Sequence, residues 1–119
     1  MRRLTEKEVI FTITIEAESL HIEGNYLASG DPVADKESSD YIRAQLDEGN
    51  DWAWCAITVT ADWDGHKGTS HVGACSYPSK AEFLKDGYYH DLKMEALENL
   101  NDNLDQIEAS IRRLMDQSL

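Results

Sequence analysis

Apolar and polar residues alternate along three segments of the chain, a period of two that is typical of half-buried β-strands. In residues 8–17 the apolar set shares one predicted strand face: Val9, Phe11, Ile13, Ile15 and Ala17. Two more strands are predicted at about 53–63 and 66–77, separated by Asp64-Gly65. Because this dipeptide accepts the positive φ angles of a type I′ turn, we expect a hairpin that pairs Trp63 with His66. That register gathers one apolar face: Cys55, Ile57, Val59, Ala61, Val72 and Ala74.

Helical periodicity and capping residues predict three helices. The first, at about 32–48, begins after Asp31 and ends before Gly49. Its predicted apolar side comprises Val33, Ala34, Tyr41, Ile42, Ala44 and Leu46. A capping box from Ser79 to Glu82 opens a short helix at about 79–86, and a long helix follows at about 88–117. The predicted fold class is therefore α+β, with a three-stranded antiparallel sheet and helices packed on one of its faces. We expect residues 1–96 to form one domain and residues 97–119 to form a helical extension.

A heptad seam runs along the last helix. Its apolar residues recur at spacings of three and four: Leu97, Leu100, Leu104, Ile107, Ile111 and Leu114. Such a seam requires a partner helix, which is either the first helix of the same chain or a second copy. Because the helix is long for a three-stranded domain, we expect a homodimer through this segment.

The chain carries many more acidic than basic residues, which limits the partners that it can bind. Lys plus Arg number 11 against 23 Asp plus Glu, a formal net charge of -12, so the molecule should repel nucleic acid and anionic lipid. Neither a signal-peptide core nor an apolar run of membrane-spanning length is present, and we expect a cytoplasmic protein that does not contact a membrane. On the long helix, carboxylates recur at spacings of four and three in an acidic stripe: Asp91, Glu95, Glu98, Asp102 and Asp105. The stripe is either a solvated helix face or a mimic of phosphates for a basic partner.

Tryptophans, cysteines and histidines concentrate at residues 51–77. Trp52 and Trp54 would point away from the apolar face of a regular strand, so either the first helix or the long loop covers them or they form an aromatic surface for a partner. The cysteines and histidines lack zinc-ligand spacing, and we expect no metal or cofactor. A thiol-dependent enzyme using Cys75 with His71 or His90 is an alternative function.

Four segments together resemble a group of uncharacterised small proteins from bacteriophages and integrated mobile elements: GNYLASGDP (24–32), EGNDWAWC (48–55), HVGACSY (71–77) and KDGYYHDLKMEAL (85–97). The resemblance assigns no activity or catalytic residue. It implies a setting in which small acidic proteins bind and inhibit host proteins, including nucleic-acid-binding defence proteins of CRISPR and restriction systems. We therefore expect a binding protein rather than an enzyme, with a structural protein that dimerises by a coiled coil as a further alternative.

Overall fold

The computed structural model describes residues 2–25 and 29–117. Three strands form one antiparallel sheet in the order β1-β2-β3: β1 (Ile10–Ala17), β2 (Cys55–Trp63) and β3 (His66–Cys75). The helices are α1 (Pro32–Asp47), α2 (Lys80–Lys85) and α3 (Gly87–Gln117). Single 3₁₀ turns at Glu6–Glu8 and Asp51–Ala53 precede β1 and β2. The predicted α+β class is confirmed, and the predicted elements nearly coincide with the observed ones.

The β2–β3 hairpin turns at Asp64 and Gly65, whose φ angles of 51° and 81° lie in the left-handed region that a type I′ turn requires. The rings of Trp63 and His66 stack across the turn with centroids 6.2 Å apart. Burial then alternates along β2, where Cys55, Ile57, Val59 and Ala61 are fully buried. These observations agree with the register that the dipeptide predicted.

Helix α1 begins as the sequence indicated, because the Asp31 carboxylate accepts hydrogen bonds from the backbone amides of Val33 and Ala34. Its predicted apolar side was largely wrong, however. Ile42 is buried at 1% exposure, but Val33 and Tyr41 are exposed at 67% and 63%. The helix is therefore held by a narrow stripe around Ile42 and presents an aromatic side chain to solvent.

The described residues form two compact units. The first comprises the described parts of 1–13, 59–70 and 90–119. Within it α3 lies against β3 at Gly68, where an added Cβ would lie 2.2 Å from the backbone nitrogen of Leu100 and 2.4 Å from the carbonyl oxygen of Ala96. The Ser70 hydroxyl donates to the Leu92 carbonyl at 2.6 Å. The helix thus packs backbone to backbone on the strand, which glycine permits and a side chain would prevent.

Two amide side chains of α3 bind the backbone of β3 in the same unit. Asn99 donates to the Thr69 carbonyl at 2.7 Å and Asn103 to the Lys67 carbonyl at 3.0 Å. In the hairpin register, residues 67 and 69 direct their backbone groups away from β2. The two asparagines therefore satisfy part of an edge that would otherwise attract another strand.

The second unit comprises the described parts of 14–58 and 71–89. Fully buried Phe83 lies at the centre of an aromatic cluster, with ring centroids 5.5 Å from Trp52, 5.2 Å from Tyr77 and 5.3 Å from Tyr89. A separate apolar cluster joins Ile22, Ile42, Ala53 and Trp54, with Leu46 and Ala74 packed against it. Because α2 has only six residues, its position depends on Phe83 rather than on its own helical stability.

Candidate functional site

The amino-terminal half of the acidic stripe is exposed on α3. Asp91, Glu95 and Glu98 follow one another at spacings of four and three, which places them on one helix face. All three are exposed, and none forms an ion pair with another residue of the ranges 2–25 and 29–117. A rise of about 1.5 Å per residue separates them by roughly 6 and 4.5 Å along the axis. We call these three side chains the open acidic row.

The carboxyl-terminal half of the predicted stripe has a different environment. The Arg3 guanidinium binds Asp102 at 3.1 Å and Asp105 at 2.9 Å. Its position is fixed by the adjacent Leu4, whose amide donates to the Asn101 carboxamide oxygen at 2.8 Å and whose carbonyl accepts from the Asn101 nitrogen at 3.1 Å. Asn101 is only 3% exposed. The predicted five-residue stripe is therefore divided into the open acidic row and an ion-paired segment.

Lys93 lies within the stripe in sequence, but its charge is engaged by the amino-terminal segment. Its ammonium group is 3.9 Å from a Glu6 carboxylate oxygen and 5.7 Å from the centroid of the Phe11 ring. A cation over an aromatic face is stabilised by the negative face of the ring. The positive charge closest in sequence to the open acidic row is thus already bound by other side chains of its own unit.

A second acidic region, which the periodicity of the long helix does not reveal, lies at residues 14–58. Residues 14–58 contain ten Asp and Glu against Lys36 and Arg43, which gives this segment a net charge of -8 and makes it more acidic than α3. Both cations are paired, Lys36 with Asp40 at 2.9 Å and Arg43 with Glu23. Counting charge over the whole sequence rather than along one helix would have found this region.

Trp52 and Trp54 do not lie together on an exposed face. Trp54 is 4% exposed, packs in the cluster with Ile22 and Ile42, and donates from Nε1 to the Leu20 carbonyl at 2.9 Å. Trp52 is half-buried and stacks on Phe83. Because a 3₁₀ turn rather than a strand spans Asp51–Ala53, the alternation that placed both rings on an open face does not apply. The contacts of Trp54 with Ile42 of α1 and with Leu20 and Ile22 agree with the alternative in which the first helix or the long loop covers that ring.

Both cysteines are free thiols, and their environment disfavours the thiolate. Burial raises the pKa of Cys55 to about 11, with smaller contributions from Cys75 and Glu18. Burial also raises the pKa of Cys75, and Sγ of Cys75 lies 3.5 Å from the Gly73 carbonyl oxygen, which a protonated thiol can approach as a donor. Since the thiolate is the nucleophile, this environment gives no support to the thiol-enzyme alternative. No group of three or more His, Cys, Asp or Glu among the described residues is placed to hold a metal ion.

The heptad seam is covered over only part of its length. Leu100 and Leu104 are 0% and 6% exposed, whereas Ile107, Ile111 and Leu114 are 41%, 52% and 66% exposed. Leu100 and Leu104 thus lie in the packed part of the first unit, and the exposed part of the seam begins after Leu104. The division into a domain at 1–96 and an extension at 97–119 stays a prediction. The structure describes no second helix along the exposed part of the seam in the ranges 2–25 and 29–117, so the predicted coiled coil is not shown within one chain.

No family model, curated protein or solved structure matches this chain. The resemblance to phage and mobile-element proteins therefore stays a prediction, and residues 26–28 of its GNYLASGDP motif lie outside the described residues. None of the helices within the described ranges combines the length and the apolar character that crossing a membrane would need.

Proposed function

We propose that this protein binds and inhibits a host protein, and that the open acidic row of Asp91, Glu95 and Glu98 binds a basic, nucleic-acid-binding groove of that partner. The observation that carries the proposal is the exposure of three carboxylates on one helix face without a cation bound to them in the described chain. Such carboxylates keep their charge available for a partner, whereas Asp102 and Asp105 already bind Arg3.

The spacing of the row suits a surface that binds phosphates. Neighbouring carboxylates lie about 5 Å apart along the axis, the same scale as the roughly 3.4 Å axial rise between phosphates of one DNA strand. The helix also fixes the carboxylates on a rigid element, because α3 is held against β3 at Gly68 and Ser70. A groove lined with Lys and Arg would therefore meet a pre-organised row of negative charge.

The net charge of -12 favours a basic protein over other classes of partner. The negative charge of the protein repels nucleic acid and anionic lipid, which carry the same sign. The same charge increases the rate of encounter with a positively charged groove. The resemblance to phage and mobile-element proteins supplies the expected setting, a bacterial host cytoplasm in which the partner is a defence protein of the CRISPR or restriction type. We assign no cofactor to the protein.

The proposal is tested by affinity capture from bacterial host lysate with a row variant and a matched control. The row variant carries Asp91→Asn, Glu95→Gln and Glu98→Gln. The control removes the same number and type of charges from exposed positions elsewhere: Glu16→Gln, Glu37→Gln and Asp47→Asn. Circular dichroism first confirms that all three proteins are folded.

We expect wild type and control to capture the same nucleic-acid-binding protein, released by salt as screening increases, and the row variant to lose it. Equal loss in both variants would mean that only net charge matters. Equal retention in both would mean that the row is a solvated face. Either result would contradict the proposed role of the row.

A further inference from the structure

The exposed end of α3 forms one wall of an open groove. The other wall is the tip of the β2–β3 hairpin at Gly65, His66 and Lys67, and the volume between them is about 790 Å³. The helix lines this groove with six residues: Asn103, Gln106, Ile107, Ser110, Ile111 and Leu114. The three apolar members are those that continue the buried seam of Leu100 and Leu104 at heptad spacing, and this periodicity suits a helix as occupant.

The charge of the groove favours a second copy of this chain over another protein. Among residues 2–25 and 29–117, no Asp or Glu side chain lines the groove. Residues 106–117 are also electrically balanced, with Glu108 and Asp116 against Arg112 and Arg113. Arg112 binds Glu108 at 2.6 Å, which neutralises the one acidic side chain beside the seam in this segment. Two molecules that each carry a charge of -12 can therefore approach here without facing each other's carboxylates.

The direction of pairing follows from where the acidic residues lie. A parallel pair would place residues 91–105 of two copies side by side, and with them the two acidic stripes, whereas an antiparallel pair separates them. We propose that residues 104–117 of α3 pair antiparallel with the same residues of a second copy about a two-fold axis near Ala109. This dimer does not depend on the proposed function, because it uses a different part of α3.

Antiparallel packing of the seam specifies the contacts. With the axis at residue 109, Ile107 packs against Ile111 of the partner subunit, and the same contact recurs by symmetry. Leu114 of the partner subunit then lies opposite Leu104, at the groove beside the hairpin tip. Each copy thus supplies the helix that fills the other's groove, which makes the interface isologous and closed.

The test is the mass of the full chain in solution, measured by light scattering after size exclusion at about 5 to 200 µM. Wild type should approach twice the 13.5 kDa chain mass as concentration rises. Ile111→Asp should remain at the chain mass, while the control Val33→Asp, which places the same charge at a comparably exposed site, should behave as wild type. Circular dichroism verifies that both variants fold. A monomeric wild type over this range, or an Ile111→Asp protein that still dimerises, would overturn the dimer.

The orientation is tested with single cysteines introduced at the seam in a Cys75→Ser background, since native Cys75 is partly exposed. In an antiparallel pair, Ile107→Cys and Ile111→Cys chains mixed and oxidised should form mainly mixed disulfides. Disulfides formed only between identical chains would refute the antiparallel arrangement in favour of a parallel one.

Discussion

Replacing Gly68 by alanine should loosen α3 from the sheet. The new Cβ would lie 2.2 Å from the nitrogen and 2.6 Å from the Cα of Leu100, and 2.4 Å from the Ala96 carbonyl oxygen. Contacts between non-bonded heavy atoms are favourable near 3.5–4.0 Å, so the helix or the strand must shift by about 1 Å or more. All three obstructing atoms belong to the backbone, and no side-chain rotation can relieve the contact.

The expected loss of stability lies in the upper part of the range for overpacking a core. Extra methylenes in a packed core cost about 1–3 kcal/mol, and the shift of α3 would also weaken the hydrogen bonds from Asn99 and Asn103 to β3. Alanine recovers roughly 0.5–1 kcal/mol because it restricts the unfolded chain more than glycine does. We therefore expect a net loss of about 2–3 kcal/mol in the free energy of unfolding, or about 10 °C in Tm.

Gly73→Ala is the matched control on the same strand. Its Cβ would lie 3.1 Å from a Glu18 side-chain oxygen, a flexible group that can move aside. Urea denaturation followed by tryptophan fluorescence should show Gly73→Ala within about 1 kcal/mol of wild type and Gly68→Ala clearly below it. Equal stabilities for the two variants would refute the inference that α3 and β3 touch through their backbones.

Three further outcomes follow from side chains that are buried or half-buried. Phe83→Ala should lower the free energy of unfolding by about 3–5 kcal/mol in the same urea assay, because it empties the centre of the aromatic cluster, and a loss below 1 kcal/mol would contradict that position. Cys55 and Cys75 should react with an aromatic disulfide reagent at pH 7 at least tenfold more slowly in the native protein than in urea. The reason is that burial raises the pKa of both thiols, and the thiolate is the reactive form. Equal rates would show an accessible thiolate. Burial raises the pKa of Cys55, Cys75 and Tyr77 in the folded protein, so the unfolded chain releases these protons at lower pH. The free energy of unfolding should therefore fall as pH rises above about 9. A urea midpoint that is unchanged between pH 7 and 10 would disagree.

The hairpin and the helix boundaries could be predicted because their signals are local. Asp64-Gly65 fixes the turn through backbone sterics alone, and Asp31 caps α1 with its own carboxylate. The apolar side of α1 could not be deduced in the same way. Val33 and Tyr41 are apolar at helical spacing, yet only tertiary packing determines that Ile42 is buried and that they are not.

The division of the acidic stripe depends on contacts between distant residues. Arg3 and Asp102 are 99 positions apart, and no periodicity connects them. Two sequence signals were nonetheless present: Asn101 is a polar residue directly after a seam leucine, and Gly68 interrupts an alternating strand, which often marks close backbone approach. Both residues lie where α3 is joined to the rest of its unit.

The open acidic row should occupy the groove in which the partner binds nucleic acid. Competition for that groove is measured by fluorescence anisotropy of a labelled duplex bound to the protein that affinity capture identifies. Wild type and the Glu16, Glu37 and Asp47 control should displace the duplex at similar concentrations, and the Asp91, Glu95 and Glu98 variant should need roughly tenfold more or fail. If the row variant displaces the duplex as well as wild type does, or if wild type leaves the duplex bound at saturation, the claim is contradicted.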